Sequence, residues 1–195
     1  MNVARISLTM FDIKKTYSYI TERCRVYDGN APLCLALELM NTEYIRMHGP
    51  EHHYLTAAVL CSAWCNAIGE EKTEHLEHLQ KRCELICPGV CGYFGVCGDV
   101  MAVGAAFSEM KGVTYLSGKP WHDIADFTAK ALQAVADSCK GGPRCCKRTT
   151  FAALASAVHW LREEKVIEFE IPENLNCPFS AGNSQCVKKG CVYYA

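Results

Sequence analysis

The chain has 195 residues, of which 50% are hydrophobic, and its formal net charge is only -1. That length suits one compact domain around a single core, and so balanced a charge, without any run of like charges, leaves no footprint for nucleic acid or for a membrane of acidic lipid. The composition is anomalous in one respect, its 14 cysteines.

The opening stretch MNVARISLTMFDIKKTYSYI has no basic segment followed by a continuous apolar one, and no later stretch stays apolar long enough to cross a bilayer. A cytoplasmic protein is expected. In a reducing compartment its cysteines point to metal ligation, redox work or sulfur chemistry rather than to a disulfide framework.

The first helix carries Phe11, Ile13, Tyr17 and Ile20 at near-helical spacing up to Cys24, and Tyr27-Asp28-Gly29-Asn30 ends it. A second helix follows Asn30 with Pro32 in its first turn and a face of Leu33, Leu37, Met40, Tyr44 and Met47, until His48-Gly49-Pro50 breaks it. Pro50 opens a third helix with two adjoining stripes, His53, Ala57, Leu60, Trp64 and Tyr54, Ala58, Cys61, Cys65, so it should be buried on more than one side before Gly69 closes it. A charged helix from Glu70 then turns Leu76, Leu79, Cys83 and Ile86 inward and delivers the chain to CELICPGVCGYFGVCGD, residues 83–99.

Beyond that bend Asp99 should cap a helix whose residues Val100 to Phe107 are nearly all small or apolar, stopped by Gly112. Pro120 opens the next, with Trp121, Ile124, Ala131 and Val135 in register and an end at Cys139 before Gly141-Gly142-Pro143. Thr149 is the expected N-cap of a helix carrying Leu154, Val158 and Leu161. Only Val166 to Ile171 alternates like a strand, and 172–195 is too rich in Pro, Gly, Asn and Cys for regular structure. The expectation is an all-α protein, a helical cysteine-rich domain over 1–171 with an irregular tail over 172–195 packed on it.

Chemistry is expected first where Cys91 and Cys97 of one glycine-rich loop can meet Cys145 and Cys146 of another, four thiols completing one site. Their places beside helix starts, with Arg144, Lys147 and Arg148 nearby, should favour thiolate, the form a soft metal requires. Zinc commonly uses close C-x2-C pairs, whereas Cys83, Cys87 and Cys91 are four apart and Cys91 and Cys97 six, so an iron-sulfur cluster is preferred and zinc is the alternative. Adjacent Cys145 and Cys146 leave open that one of them is a free nucleophile.

A second constellation is Met47-His48-Gly49-Pro50-Glu51-His52-His53. The proline places Glu51, His52 and His53 in a first helical turn, where an imidazole tends to stay neutral and can ligate a metal or accept a proton; polar capping with a core histidine is the competing reading. The tail holds Cys177, Cys186 and Cys191 as C-x8-C-x4-C. They could recruit Cys24, Cys34 or a histidine into a second metal site, fold back over the first, or remain loose thiols.

MHGPEHHYLTAAVL, CPGVCGYFGVCGD, GGPRCCKRTTFAAL and CPFSAGNSQCVKKGC together resemble an uncharacterised cysteine-rich domain-of-unknown-function family of anaerobic bacteria and archaea, from about Ala36 onward. A fainter similarity joins CGDVMAVGAAFSEMKG and SCKGGPRCCKRTTFAALASAV to the helical iron-sulfur domain of bacterial L-serine dehydratases and L-cysteine desulfidases. There three cysteines hold a 4Fe-4S cluster whose open iron binds substrate. The resemblance implies Cys97, Cys139 and Cys145 as ligands, with Cys91 or Cys146 as substitutes for Cys139 because Gly-Gly-Pro-Arg here replaces Asp-Gly-Ala-Lys.

The leading expectation is therefore a protein that binds an iron-sulfur cluster, with lyase-like sulfur or dehydratase-type chemistry at an open iron. In that reading Arg144 attracts a small anionic molecule and His52 or His53 takes a proton. The alternative is a non-enzymatic metal-binding or redox-sensing protein that docks on a partner enzyme or forms a homo-oligomer.

Overall fold

A computed structural model describes residues 11–138 and 141–194. Asp12 caps helix α1 (Ile13–Val26), accepting from the backbone N–H groups of Lys14 and Lys15, and Tyr17, Ile20 and Cys24 form its buried face. Helix α2 (Pro32–Met40) starts at the expected proline but stops short of Met47. Asn41 ends it with an N–H donated back to the Leu37 and Glu38 carbonyls, and the Thr42 hydroxyl takes the Leu39 carbonyl. Side chains that compete for the last carbonyls favour a turn over continued helix. Tyr44 still packs inward, stacked 4.1 Å from Tyr19.

Helix α3 (Glu51–Ile68) is the axis of the fold, since every residue from Glu51 to Cys65 is buried and helices α1, α2, α4, α6 and α8 all contact it. A helix apolar around most of its circumference can satisfy itself only by being surrounded, and Ala57, Ala58, Cys61, Ser62 and Ala63 are small enough to let neighbours close in. Gly69 ends it in the left-handed conformation, φ 74°, which no other residue type adopts as cheaply. Helix α4 (Thr73–Glu84) buries Leu76, Leu79 and Cys83 as its pattern predicts.

The cysteine bend contains a short helix α5 (Val90–Phe94) between Gly89 and Gly95, both at positive φ, and then α6 (Gly98–Lys111). Helix α6 lies against α3 along most of its length and buries Val100, Ala102, Val103, Gly104, Ala106 and Phe107. Helices α7 (Lys119–Asp137) and α8 (Cys146–Glu163) complete the bundle, with Phe107, Phe127 and Trp160 meeting edge to face or tilted at 5.0 to 5.5 Å. The fold is all-α, as the periodicities require.

Two expectations are corrected. Val166–Ile171 is not a strand: Phe169 is buried, but Val166 and Ile167 donate to the Leu161 carbonyl and Glu170 to the Asn30 carbonyl, and among the described residues no strand lies beside it. Alternation came from packing one side of a coil on the core, which needs no ladder. The caps of α6 and α8 also fall earlier than Asp99 and Thr149. Cys97 and Cys145 occupy those positions, while Asp99 and Thr149 sit in the first turns with buried side chains.

Candidate metal centre

The first turns of α6 and α8 are joined through a buried carboxylate. Asp99 accepts from Thr149 Oγ1 at 2.6 Å and Thr56 Oγ1 at 3.1 Å, so one residue ties α6 to both α3 and α8. The Cys97 thiol donates to the same carboxylate, Sγ to Oδ2 3.7 Å. His53, one turn before Thr56, lies so close over Gly98 that a Cβ there would overlap its imidazole. This close approach explains a glycine at the start of α6.

Around this knot lies a cavity of about 310 Å³ lined by His53, Cys91, Cys97, Asp99, Arg144 and Cys146 among others. It continues into a crevice that adds His48, Gly49, Pro50 and Gly89 and shares His53, Cys91, Arg144 and Cys146. Three of the four expected thiols therefore reach one space from three elements, α5, the cap of α6 and the start of α8. Cys145 does not. Its adjacent position points it toward the tail, where it lines a different, smaller cavity with Cys177, Cys186 and Cys191. Cys139, which the desulfidase-like pattern brings in, lies outside the described residues.

The family can be stated on this geometry and the sequence that builds it. A family model matches residues 20–194. The chain belongs to DUF5714, a family of unknown function. No curated protein and no solved structure matches it. The DUF5714 match spans every residue of both cavities, so the whole arrangement lies within the family's shared length.

In this DUF5714 chain burial, rather than the helix ends, sets the protonation of the site. The Cys146 thiol is pushed up to about 12 by burial and then by the Asp99 charge, and Cys97 moves in the same direction for the same two reasons. The expected lowering by helix termini and arginines is overturned for these two, because desolvation of a thiolate outweighs a partial dipole charge. Lys147 was expected to add positive charge here, but it turns inward and bonds the Met40 and Ile45 carbonyls.

The histidines do behave as expected. Burial lowers His48, His52 and His53, with Arg144 and Lys147 lowering His48 and His52 further, while the Asp99 and Glu51 charges partly restore His53. All three favour neutral imidazole at pH 7. His52 bonds the Gly49 carbonyl through Nδ1 at 3.2 Å and is fully buried, lining neither cavity, so of the two expected bases only His53 lines the cavity, with His48 on the adjoining crevice. Gly98→Ala should displace His53, and we expect its imidazole to titrate at higher pH in NMR spectra as the ring leaves its buried seat.

The remaining cysteines of the bend divide. Cys83 is in the core with its thiol donating to the His53 carbonyl at 3.7 Å, and Cys87 is exposed. Among the described residues no three Cys, His, Asp or Glu side chains are already set around a common point to hold an ion. Cys97 is turned to Asp99 instead, and the Arg144 guanidinium donates to the Cys146 sulfur at 3.6 Å. Rotation about χ1 on deprotonation is what ligation would require. Sequence reasoning missed Asp99 and Thr149 beside the cavity because both read as caps, and their pairing joins residues 50 positions apart, which no local signal marks.

Proposed function

We propose that this protein binds an iron-sulfur cluster of the 4Fe-4S type through Cys91, Cys97 and Cys146. One observation supports the reading above the others: three thiols from three separate elements line a single cavity of about 310 Å³, too large for one ion and roomy enough for a cluster with a small molecule beside it. Three ligands leave a fourth position open, and an open iron supplies Lewis acidity for sulfur or dehydratase-type chemistry.

The chain's own groups suit such a substrate. Arg144 and Arg148 line the cavity as two positive charges that suit a carboxylate, and the buried Nε of Arg148 has no hydrogen-bond partner. His53 is neutral and its buried Nδ1 is likewise unpartnered, which suits a group that accepts a proton. Every cysteine among the described residues is free, and no helix among them is long and apolar enough to cross a membrane; both fit a reducing, cytoplasmic setting.

A second reading has its own observation. Tyr93, Phe94 and Leu85, near the α5 segment that carries Cys91, are 77%, 72% and 84% exposed, a surface on which a partner enzyme could dock over the cavity mouth. The same cluster would then serve redox sensing or electron transfer.

Iron and sulfide analysis of anaerobically isolated protein tests the proposal. We expect a brown protein with broad charge-transfer absorbance, and Cys97→Ser and Cys146→Ser variants that lose most of the iron, because a hydroxyl is a poor soft-metal ligand. Cys145→Ser should keep it. Iron-free wild-type protein, or iron that depends on Cys145 and not on Cys146, would refute the assignment.

A further inference from the structure

The second cavity is different in kind. Its free volume is about 20 Å³, room for one ion or one water and far too small for a cluster. Cys145, at the cap of α8, and Cys177, Cys186 and Cys191 of the tail all line it. We infer that these four thiols form a closed metal site that takes one zinc-class divalent cation and clasps the C-terminal segment to the start of α8. The site uses none of Cys91, Cys97 and Cys146 and stands independently of the iron-sulfur reading.

The backbone supports it. The Lys188 N–H approaches the Cys186 sulfur at 3.4 Å, two residues on, and Lys188 holds a left-handed φ of 49° to do so. For a lysine that conformation costs roughly 1 kcal/mol; it also opens the 3-10 turn in which the Cys191 N–H donates to the Lys188 carbonyl at 2.8 Å, so one turn places both Cys186 and Cys191. Amides aimed at sulfur from position i+2 are what a metal thiolate uses to spread its charge, and Asn183 adds a side-chain donor, Nδ2 to the Cys145 sulfur 3.6 Å. The separation of four residues between Cys186 and Cys191 falls within the usual range for a zinc-ligand pair.

The tail also needs such a clasp. Its only helices among the described residues are two single 3-10 turns, Ser180–Gly182 and Lys188–Gly190, and its ends are held by the Cys177 N–H to the Tyr193 carbonyl and the Val192 N–H to the Ser138 carbonyl. Phe179 and Tyr193 shield the thiols from water, Tyr193 packing 5.4 Å from Phe151 of α8. Among the described residues the four sulfurs are not converged on a common point, so binding has to draw them together; it forms four metal-sulfur bonds and releases the thiol protons to solvent.

Zinc, iron and sulfide are measured on the full chain as isolated, followed by Co²⁺ substitution. We expect about one zinc per chain beside any iron. Cobalt should give the intense thiolate charge-transfer and ligand-field bands of a tetrahedral site. Cys177→Ser and Cys191→Ser should lose zinc and keep iron, Cys146→Ser the reverse. A thiol-blocking mercurial should release the zinc and open residues 172–194 to protease at least about tenfold faster. Where a serine variant does not fold, the cobalt spectrum of the wild-type chain decides. Zinc-free protein without those cobalt bands, zinc that follows Cys146, or a disulfide among these four cysteines in freshly isolated protein would overturn the inference.

Discussion

Replacing Glu51 with Ala should destabilise the protein by about 3 to 4 kcal/mol, read as a lowered midpoint in chemical denaturation. The Glu51 carboxylate has no solvent exposure and accepts from the Arg46 backbone N–H at 3.0 Å, from Nε at 3.0 Å and from Nη2 at 2.7 Å. It closes the turn over residues 46–51 on itself, and a Cβ at Gly49 would overlap it. Alanine would leave a buried cavity and an orphaned amide, whereas Arg46, 40% exposed and stacked on Phe11, can rehydrate. Glu51→Gln keeps the shape and an acceptor, so about 1 to 2 kcal/mol is expected. Since His48 lies within this turn and His53 just after it, the alanine variant should also perturb the imidazole NMR signals. Loss below about 1 kcal/mol for alanine would mean the ion pair is not formed in solution.

Lys147→Ala is expected to cost a similar amount, about 3 to 5 kcal/mol. Lys147 is 2% exposed, and its amine donates to the Met40 and Ile45 carbonyls at 2.7 and 3.1 Å and lies 4.6 Å from the Phe179 ring centre. Alanine removes both donors and opens a void. Lys147→Met fills the space and removes a buried charge, so it should cost less despite the orphaned carbonyls.

The pH dependence separates this residue from its neighbours. Burial lowers Lys147 to about 8 from 10.5, against the opposing charge of Glu51. Between those values the unfolded chain binds more protons than the folded one, so the Lys147 contribution to stability rises with pH across that window. Buried thiols such as Cys146, raised from 9.0 to about 12, run the other way: their contribution is complete below 9.0 and lost above it. The thiols cancel in a difference, so the stability gap between wild type and Lys147→Met should widen from pH 8 to pH 10. A gap that narrows there would show that the amine is not buried as described.

The helices were legible because their apolar residues recur at 3.6-residue spacing and because Gly69 and Gly112 can end a helix in a conformation other residues resist. Pro32 and Pro120 marked starts for a similarly local reason. The end of α2 was misplaced because the apolar spacing continues to Met47, whereas the Thr42 hydroxyl takes the Leu39 carbonyl and Arg46 is held by Glu51 in a turn, contacts that spacing does not show. The cysteine-rich bend, the HGPEHH turn and the GGPRCC loop stood out as gatherings of ligating and titrating residue types, which are visible without coordinates.

Composition and local periodicity thus determined the all-α class, the positions of most helices and the set of chemically interesting residues. The tertiary structure alone decided how those residues are shared out. It put Cys91, Cys97 and Cys146 on one cavity and sent Cys145, their chain neighbour, to the tail thiols; it brought His53 to the cavity and sealed His52 in the core. Adjacent residues at a helix start point in directions about 100° apart, so which side meets which partner depends on how α8 is rotated against α3 and α6. That rotation is fixed by Asp99 holding Thr56 and Thr149 together, a contact between residues 43 and 50 positions apart that no local pattern encodes.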